Sequence, residues 1–521
     1  MIDRIFTALS FRLRCLLILL SGGVMALAMP PTNFWPLLFI GLSLFYGLLT
    51  AYRGWRAFLL GWLFGFGYFV IGLYWIGNAL LVPGNDFKWA WPLAVLGLPF
   101  ALAFFTGIAG WAAARIADLK TWRGYAAVIF CLMASEWLRG VLFTGFPWNL
   151  YGYGWAGMPE LVQSVSLFGT YGLTLLTIAW GLLPGFLYVA GKSRRAGAAA
   201  CAAMILLWAG LYGWGAHRLA ENPTRSDSAM MVRIVQPNIA QEDKWNSDRI
   251  VANIQKTVDL SAAPFLPGKI YAVIWPETAI TDYVIRDPNA ADFIRAALFP
   301  GNRPGYLLSG VLRHETDADG KPVYYNSLVA YDSDLIPEAI YDKAHLVPFG
   351  EYIPYQKYIP LRPVVQFSGF TAGQGVATQT LSALPSFSGL VCYEVLFPGR
   401  SALTEPRPHW IVNATNDGWY GDSPGPYQHL MQTVYRATEE GLPLARAANT
   451  GISALIDSYG RILHKTGYNK DGYIDAALPQ RTENPTFYSR FREIPLLISM
   501  LGLGLFVMSG FRPGKAGAEF V

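Results

Sequence analysis

Eight long apolar runs limit what this chain can fold into, because most of them are near the length of a membrane-spanning helix. Such a helix needs roughly 20 mainly apolar residues, and in lipid it satisfies its own backbone hydrogen bonds. Charged residues inside the runs are few. We therefore predict a transmembrane α-helical bundle of about eight helices. The runs cover residues 12–30, 34–50, 57–82, 90–114, 124–143, 163–190, 196–215 and 493–511.

The charged residues divide the chain into parts. Residues 1–215 contain five acidic residues, whereas residues 216–492 have the composition of an ordinary globular protein. Over the whole chain 14% of residues are charged, against roughly 25% in a typical soluble domain. We predict a bundle of seven helices over 1–215, a water-soluble domain over 216–492, and a last helix with a tail over 493–521. The basic residues form no nucleic-acid patch, so no nucleic-acid partner is expected.

The positions of lysine and arginine predict the orientation of the bundle. Basic residues cluster in alternate connections, whereas the intervening short loops contribute only Lys88. Because basic flanks stay in the cytoplasm, both termini are predicted to be cytoplasmic and residues 216–492 to lie on the other side. The first run could also be a signal-peptide core; its short loop to the second run favours a retained helix. The clusters contain Arg4, Arg12, Arg14, Arg53, Arg56, Arg115, Lys120, Arg123, Lys192, Arg194, Arg195, Arg512 and Lys515.

Two features of the bundle have competing interpretations. Glu136 and Arg139 are three residues apart in the fifth run, so they share a helix face. We interpret them as a structural ion pair, although intramembrane charge also hints at function. The aromatic stretch 144–158 contains Trp148. It is either an ordinary belt at the lipid–water interface or part of a mouth through which a lipid reaches the soluble domain.

Short apolar runs after residue 229 predict strands that are buried on both faces of a sheet. Helical stretches near 246–262, 288–299 and 426–441 alternate with some of them, which indicates an α/β layered domain. Catalytic groups in such domains usually lie just beyond strand ends. The segment 349–388 has no clear period and is long enough for a functional loop or lid. The predicted strands cover 230–239, 271–278, 305–314, 324–332, 389–397 and 409–417.

Three side chains that can do chemistry lie at predicted strand-to-loop junctions of this domain. Cys392 is its only cysteine, so the domain cannot form an internal disulfide. Alone, Cys392 could be an inert buried thiol, Glu277 a surface carboxylate and Lys343 a solvated strand-end lysine. Together they supply a nucleophile, a base and an electrophilic cation, which covalent catalysis requires.

The segments that contain these residues resemble the signature segments of the nitrilase superfamily. They are WPET with Glu277, DKAHLVPFGEY with Lys343 and Glu351, and VCYEVLFP with Cys392. The sequence is more similar to one branch, the apolipoprotein N-acyltransferases of Gram-negative bacteria, over nearly its whole length. QPNIAQEDKW and NDGWYGDSPGPYQH extend the resemblance. It implies a nitrilase-like αββα sandwich joined to the bundle, in the inner membrane, with the soluble domain in the periplasm.

The resemblance also implies roles for individual residues. Cys392 would be the nucleophile, Glu277 the general base, and Lys343 the group that stabilises thiolate and oxyanion. The supporting residues of the site would be Glu351, which orients the lysine, and Tyr393 and Glu394, which shape the pocket. Trp245 and Trp419 would line the lipid entrance, and we add Trp148 from the aromatic stretch 144–158 to them.

The implied reaction is acyl transfer from a membrane phospholipid, through a cysteine thioester, to the amine of a diacylated apolipoprotein. A membrane-tethered amidase or nitrilase with the same triad is the alternative; a transporter or an inactive scaffold fits the residues less well. No metal-ligand spacing links His345 and His429, which we interpret as solvated loop histidines, and no metal or cofactor is expected. We interpret Arg446 and Asn449 as structural. We expect a monomer among membrane lipids.

Overall fold

The computed structural model describes residues 10–191, 194–244, 246–355, 363 and 369–509. Within these ranges, six helices are long and apolar enough to cross a membrane. Two shorter apolar helices, Pro36–Leu49 and Ile494–Met508, lie at the positions of the second and eighth predicted runs. The predicted bundle of about eight apolar helices is therefore confirmed. The six longer spans are Phe11–Ala28, Gly54–Leu80, Lys88–Ile116, Trp122–Thr144, Val165–Ala190 and Arg195–Glu221.

Local signals in the sequence set several helix starts. The hydroxyls of Ser10 and Thr121 accept hydrogen bonds from the first turns of their helices, and Pro36 opens the second helix, where a missing N–H is harmless. The helices are α1 (Phe11–Met25), α2 (Pro36–Leu49), α3 (Gly54–Leu73), α4 (Trp91–Ile116), α5 (Trp122–Val141), α6 (Pro159–Val162), α7 (Val165–Ala190), α8 (Arg194–Glu221), α9 (Ile250–Ser261), α10 (Asp282–Arg286), α11 (Pro288–Leu298), α12 (Gly425–Glu440), α13 (Phe487–Phe491) and α14 (Ile494–Met508).

Small residues bring α1 and α3 into backbone contact. A Cβ added at Gly22 would overlap the carbonyl oxygen of Phe64, and one added at Gly67 would overlap that of Leu19. In lipid there is no hydrophobic force between helices, so close packing of this kind holds them together. The glycines of these runs are therefore packing residues.

The soluble part is a sandwich of two mixed sheets. The first has the order β13-β1-β2-β4-β5-β6, with β3 paired to β4; the second has the order β12-β11-β10-β9-β8-β7. β1, β2 and β4 run parallel, as do β8, β9 and β10. The strands are β1 (Ser226–Gln236), β2 (Ile270–Ile274), β3 (Ile280–Thr281), β4 (Gly305–Thr316), β5 (Pro322–Tyr331), β6 (Pro337–Asp342), β7 (Thr378–Gln379), β8 (Phe387–Val391), β9 (Trp410–Thr415), β10 (Leu444–Ala448), β11 (Ala454–Ile456), β12 (Ile462–Lys465) and β13 (Gly472–Pro479).

Apolar side chains of both sheets meet in one core, which contains Val232 and Ile274 from one sheet and Val412 and Ala445 from the other. α9, α10 and α11 cover the outer face of the first sheet, and α12 covers that of the second. The predicted αββα architecture is confirmed. The six predicted strands are present, but the sequence does not predict β3, β6, β7 or β10–β13. β10 consists of alanine, leucine and arginine rather than β-branched residues, so its pattern was weak.

Buried polar bonds attach the sandwich to the bundle through α12. Glu439 accepts hydrogen bonds from the backbone N–H of Thr170, at 2.7 Å, and from its hydroxyl, at 2.6 Å. Arg436 pairs with Glu439 at 2.8 Å and also donates to the Thr170 hydroxyl. The hydroxyl of Tyr435 donates to the carbonyl of Gly152 at 2.9 Å. Because removing one partner of a buried charge pair is strongly destabilising, this contact holds the sandwich in a fixed position on the helices.

Candidate active site

Cys392 lies at a strained turn that begins where β8 ends. Its φ is +50°, in the left-handed region that non-glycine residues rarely adopt. A short 3-10 turn, Cys392–Leu396, continues from it. The sequence change from the apolar run of β8 to the polar pair Tyr393-Glu394 is the local signal for this turn. The thiol is buried at the carboxyl end of the strand.

Glu394 ties this turn to the loop that follows β6. One of its carboxylate oxygens accepts hydrogen bonds from the Tyr341 hydroxyl at 2.6 Å and from the N–H groups of Ala344 and His345 at 2.9 and 3.0 Å. The other accepts from the N–H of Val391 at 2.8 Å. A single buried carboxylate thus fixes the two loops that carry Cys392 and Lys343 relative to each other.

Lys343 follows β6 directly and lies between two carboxylates. Its Nζ is 2.9 Å from Oε1 of Glu351 and 3.6 Å from Oε1 of Glu277. The amide of Asn326, on β5, donates to the same two carboxylate oxygens at 3.1 and 2.7 Å. The lysine is only 1% exposed. Burial lowers the pKa of Lys343, but Glu351 and Glu277 together outweigh this and raise it above its usual value, so the ammonium stays charged.

Glu277 lies just past the end of β2 and keeps one oxygen free. Asn326 and Lys343 engage Oε1, whereas Oε2 is buried without a hydrogen-bond partner among the described residues. The backbone carbonyl of Glu277 accepts a hydrogen bond from Nζ of Lys244 at 2.8 Å. A buried, unpartnered carboxylate oxygen is a suitable proton acceptor for a nearby group.

Electrostatics keep the resting thiol protonated. Burial and the negative charge of Glu277 raise the pKa of Cys392 to about 12, while Lys343 opposes this rise. At neutral pH the sulfur therefore needs a base before it can attack. Burial lowers the pKa of Lys244 to about 8, against the pull of Glu277 and Cys392. The site thus contains one firmly charged lysine and a second that loses its proton more easily.

The structure brings together the three side chains that the sequence singles out, since Lys343 lies 3.6 Å from Glu277 and the charges of both act on the Cys392 thiol. Glu277 and Lys343 come from the first sheet and Cys392 from the second. Glu351 lies beside the lysine, and Tyr393 is buried with its hydroxyl donating to the carbonyl of Gly145 at 2.8 Å. Their chemical roles stay predictions.

The tryptophans predicted at a lipid entrance lie in different surroundings. Trp148 is 1% exposed, and its indole N–H donates to Gln428 at 2.8 Å, so it is packed between bundle and sandwich rather than open to lipid. Trp419 is half-buried in the turn Asp417–Tyr420. Trp245 lies outside the described residues, as do 356–362 and 364–368 of the predicted lid.

Sequence reasoning missed several residues near the site. Lys244 lies in the quoted segment QPNIAQEDKW and Asn326 in a predicted strand, but nothing in either pattern indicates a place at the site, because only the fold brings them beside Glu277. The interpretation of His429 as a solvated histidine is wrong, since its side chain is fully buried. Glu136 and Arg139 do pair, at 2.7 Å, as predicted. Within the described ranges, no group of three or more His, Cys, Asp or Glu side chains is arranged to hold a metal ion.

Comparison with known proteins places the chain in a family. Residues 21–183 match the family described as apolipoprotein N-acyltransferase N-terminal domain, and residues 231–486 match the carbon-nitrogen hydrolase family. Among solved structures, the chain is similar to an amidase from Nesterenkonia sp., with 18% identity and a TM-score of 0.35, over 54% of this chain and 99% of that one.

Apolipoprotein N-acyltransferases of other bacteria match almost the whole chain. An apolipoprotein N-acyltransferase of Rhodopseudomonas palustris is 39% identical over 96% of this chain and 96% of its own length. One of Allorhizobium ampelinum is 40% identical over 93% of this chain and 94% of its own length. On this evidence, the chain belongs to the apolipoprotein N-acyltransferase family, as an acyltransferase of the carbon-nitrogen hydrolase superfamily with apolar membrane helices.

Proposed function

We propose that this chain moves a fatty acyl group from a membrane phospholipid to the N-terminal amine of a diacylglyceryl-cysteine in an apolipoprotein, by way of a thioester on Cys392. The observation that carries the proposal is the burial of Cys392 beside a free carboxylate oxygen and a charged ammonium. These groups lie in a domain that buried bonds attach to a bundle of apolar helices. The names of the relatives supply the acceptor class.

In the first step, Oε2 of Glu277 takes the thiol proton and the sulfur attacks an ester carbonyl carbon of the phospholipid. A C–S bond forms, and the carbonyl electrons move to an oxyanion. Lys343 stabilises this charge, because a fixed cation in a dry site interacts strongly with it. The C–O bond then breaks, Glu277 returns the proton to the leaving oxygen, and a lysophospholipid departs.

In the second step, the amine of the lipoprotein attacks the thioester carbonyl. Glu277 accepts the proton that the amine loses as the C–N bond forms, and passes it to the departing sulfur. An amide and the free thiol of Cys392 result. In both steps, Glu351 holds Lys343 in place by their 2.9 Å ion pair. Glu394 keeps the loops that carry Cys392 and Lys343 in fixed positions relative to each other.

The bundle suits these substrates, since donor and acceptor both have acyl chains anchored in a bilayer. A site held at the membrane surface raises their effective concentration. We propose that the chain has three parts, residues 1–215, 216–492 and 493–521. The first and last parts contribute the helices of an inner-membrane bundle, and the middle part lies in the periplasm. The predicted cytoplasmic termini lie outside the described residues, and the monomeric state stays a prediction.

The alternative is a hydrolase that gives its acyl group to water with the same three residues. The carbon-nitrogen hydrolase match over residues 231–486 favours it. The match of the bundle to an acyltransferase family disfavours it, because one membrane anchor would suffice for a hydrolase.

The acyl-enzyme gives the first test. Purified protein mixed with phospholipid that has a labelled acyl chain should gain one acyl mass on the Cys392 peptide, as read by mass spectrometry. Cys392→Ala should gain none, while Cys131→Ala, which changes a cysteine of α5, should behave like the unaltered protein. Undiminished acyl transfer by Cys392→Ala would falsify the mechanism.

A chase of this adduct distinguishes the two functions. We expect a diacylglyceryl-cysteine peptide to remove the acyl group as an amide, while the same peptide with an acetylated amine leaves the adduct intact. Chromatography of the released lipid measures the outcome. Rapid release of free fatty acid in buffer alone would instead identify a hydrolase.

Glu277→Gln should separate two effects of Glu277, its proposed role as a base and the effect of its negative charge on the pKa of Cys392. Because Glu277 raises the pKa of Cys392, the variant should have a lower thiol pKa, and alkylation by a small reagent should begin at lower pH. Acyl-adduct formation at pH 7 should nevertheless fall about 10²–10⁴-fold, since the base is gone. Glu483→Gln, at an exposed position, serves as the control. Adduct formation at the normal rate by Glu277→Gln would show that another group takes the proton.

Orientation can be measured by cysteine labelling in a chain whose four native cysteines are replaced by serine. Asp319→Cys, in an exposed turn of the sandwich, should react with an impermeant maleimide added to cells with a permeabilised outer membrane. Lys120→Cys, in the loop between α4 and α5, should react only after the inner membrane is opened. The reverse pattern would place the catalytic domain in the cytoplasm.

A further inference from the structure

A fully buried group of charged and polar side chains lies directly behind the reactive turn. Asp417, His429 and Arg446 are each 0% exposed. The ring atom Nδ1 of His429 is 2.9 Å from Oδ1 of Asp417. One guanidinium nitrogen of Arg446 donates to both oxygens of Asp417, at 2.9 and 2.7 Å. The proposed chemistry uses none of these three residues.

The other end of the imidazole reaches the nucleophile turn. Nε2 of His429 is 3.2 Å from the backbone carbonyl oxygen of Cys392. A carbonyl can only accept, so Nε2 carries the hydrogen and donates it, and Nδ1 of the neutral ring accepts from the guanidinium of Arg446 at 3.1 Å. This bond fixes the carbonyl of a residue whose φ of +50° is otherwise unfavourable. Strained backbone of this kind persists only where surrounding contacts over-determine it.

The imidazole is itself held on every side. Arg446 also donates to the side-chain oxygen of Asn413 at 2.6 Å. The side-chain nitrogen of Asn413 in turn donates to the backbone carbonyl of Leu390, on β8. Burial would raise the pKa of Asp417, but Arg446 and His429 lower it, so the carboxylate stays charged. Burial and Arg446 lower the pKa of His429, against the attraction of Asp417. The ring can neither turn nor leave its place.

The membrane bundle packs against the same ring. The indole of Trp148, from the bundle, lies 5.5 Å from the imidazole, centre to centre. The ring of Tyr420, from the sandwich, lies 5.6 Å from it. The neighbouring residue Gln428 accepts a hydrogen bond from Trp148 and donates to the carbonyl of Pro30, between α1 and α2. The first turns of α12 therefore touch both the bundle and the nucleophile turn.

We propose that His429 is a positioning residue: its Nε2–H holds the Cys392 carbonyl, and so aims the sulfur, while Asp417, Arg446 and the bundle tryptophan Trp148 hold the imidazole. This proposal rests on the proposed function of Cys392 as nucleophile. It predicts that loss of the donor at Nε2 slows the chemistry without weakening substrate binding. It also gives Trp148 a role in supporting the site instead of lining a lipid entrance.

Two amide variants separate the bond that Nε2 donates to Cys392 from the contacts of Nδ1 with Arg446 and Asp417. In His429→Gln, the amide nitrogen can occupy the place of Nε2 and keep the donor to the Cys392 carbonyl. In His429→Asn, the shorter amide can replace only Nδ1 and leaves that carbonyl without its partner. We expect kcat for acyl transfer to fall on the order of 100-fold in His429→Asn with KM unchanged, the size of loss that a misplaced reacting group causes. His429→Gln should retain most of kcat.

Alkylation of Cys392 by iodoacetamide, followed by peptide mapping, gives a readout that does not depend on lipid. Its pH profile should change in His429→Asn and stay near that of the unaltered protein in His429→Gln. Equal kcat in the two variants, or a ranking that merely follows their melting temperatures, would overturn the proposal. If either variant fails to fold, Asp417→Asn replaces it, and unchanged kcat there would overturn the proposal equally.

The two proposals can fail separately. If the unaltered protein forms no acyl adduct on Cys392, the proposed function fails, while the alkylation profiles still report whether His429 aims the thiol. If the adduct forms normally but His429→Asn matches His429→Gln in rate and profile, only the positioning role fails.

Discussion

The burial of Lys343 is the constraint on which the arrangement of the site depends. The ammonium of Lys343 is 1% exposed and requires counter-charges, because an unpaired buried charge destabilises the folded state by several kcal/mol. Glu351 and Glu277 supply them, and Asn326 bridges the two carboxylates. Since these residues come from β5 and from loops after β2 and β6, satisfying one lysine fixes three segments of the first sheet. The free oxygen of Glu277 is what remains for chemistry.

The second sheet contributes the sulfur, and α12 joins it to the rest of the molecule. This helix covers β8, β9 and β10 on one side and contacts α7 on the other. Arg436 and Glu439 attach it to the bundle, while His429 at its start touches the turn of Cys392. In an αββα domain that stands alone, the outer face of such a helix would meet solvent. In this chain the outer face of α12 meets the apolar helices instead. The position of the membrane part and that of the reactive turn are thus set by one element.

A protonated thiol is compatible with the proposed mechanism, in which the enzyme waits for two lipid substrates. With a pKa of about 12, the Cys392 thiol is a weak nucleophile until a base removes its proton, which is the role proposed for Glu277, so the resting site resists oxidation and stray alkylation. In the same proposal, the fixed charge of Lys343 matters most when an oxyanion forms, which is where preorganised charge lowers a barrier. Charges interact more strongly in a buried site, and both Lys343 and Cys392 are buried.

The sequence by itself determined the apolar helices, the α/β class and the family, because helix length, strand pattern and motif residues are local properties of the chain. It also singled out Glu277, Lys343 and Cys392, since all three lie in motif segments and the first and last of them lie at the ends of apolar runs. It could not predict β10, whose alanines have little strand preference, nor the burial of His429. Only the tertiary structure decided that Trp148, Lys244 and the group behind Cys392 lie against the site, since packing of two sheets and a bundle brings together residues that are far apart in sequence.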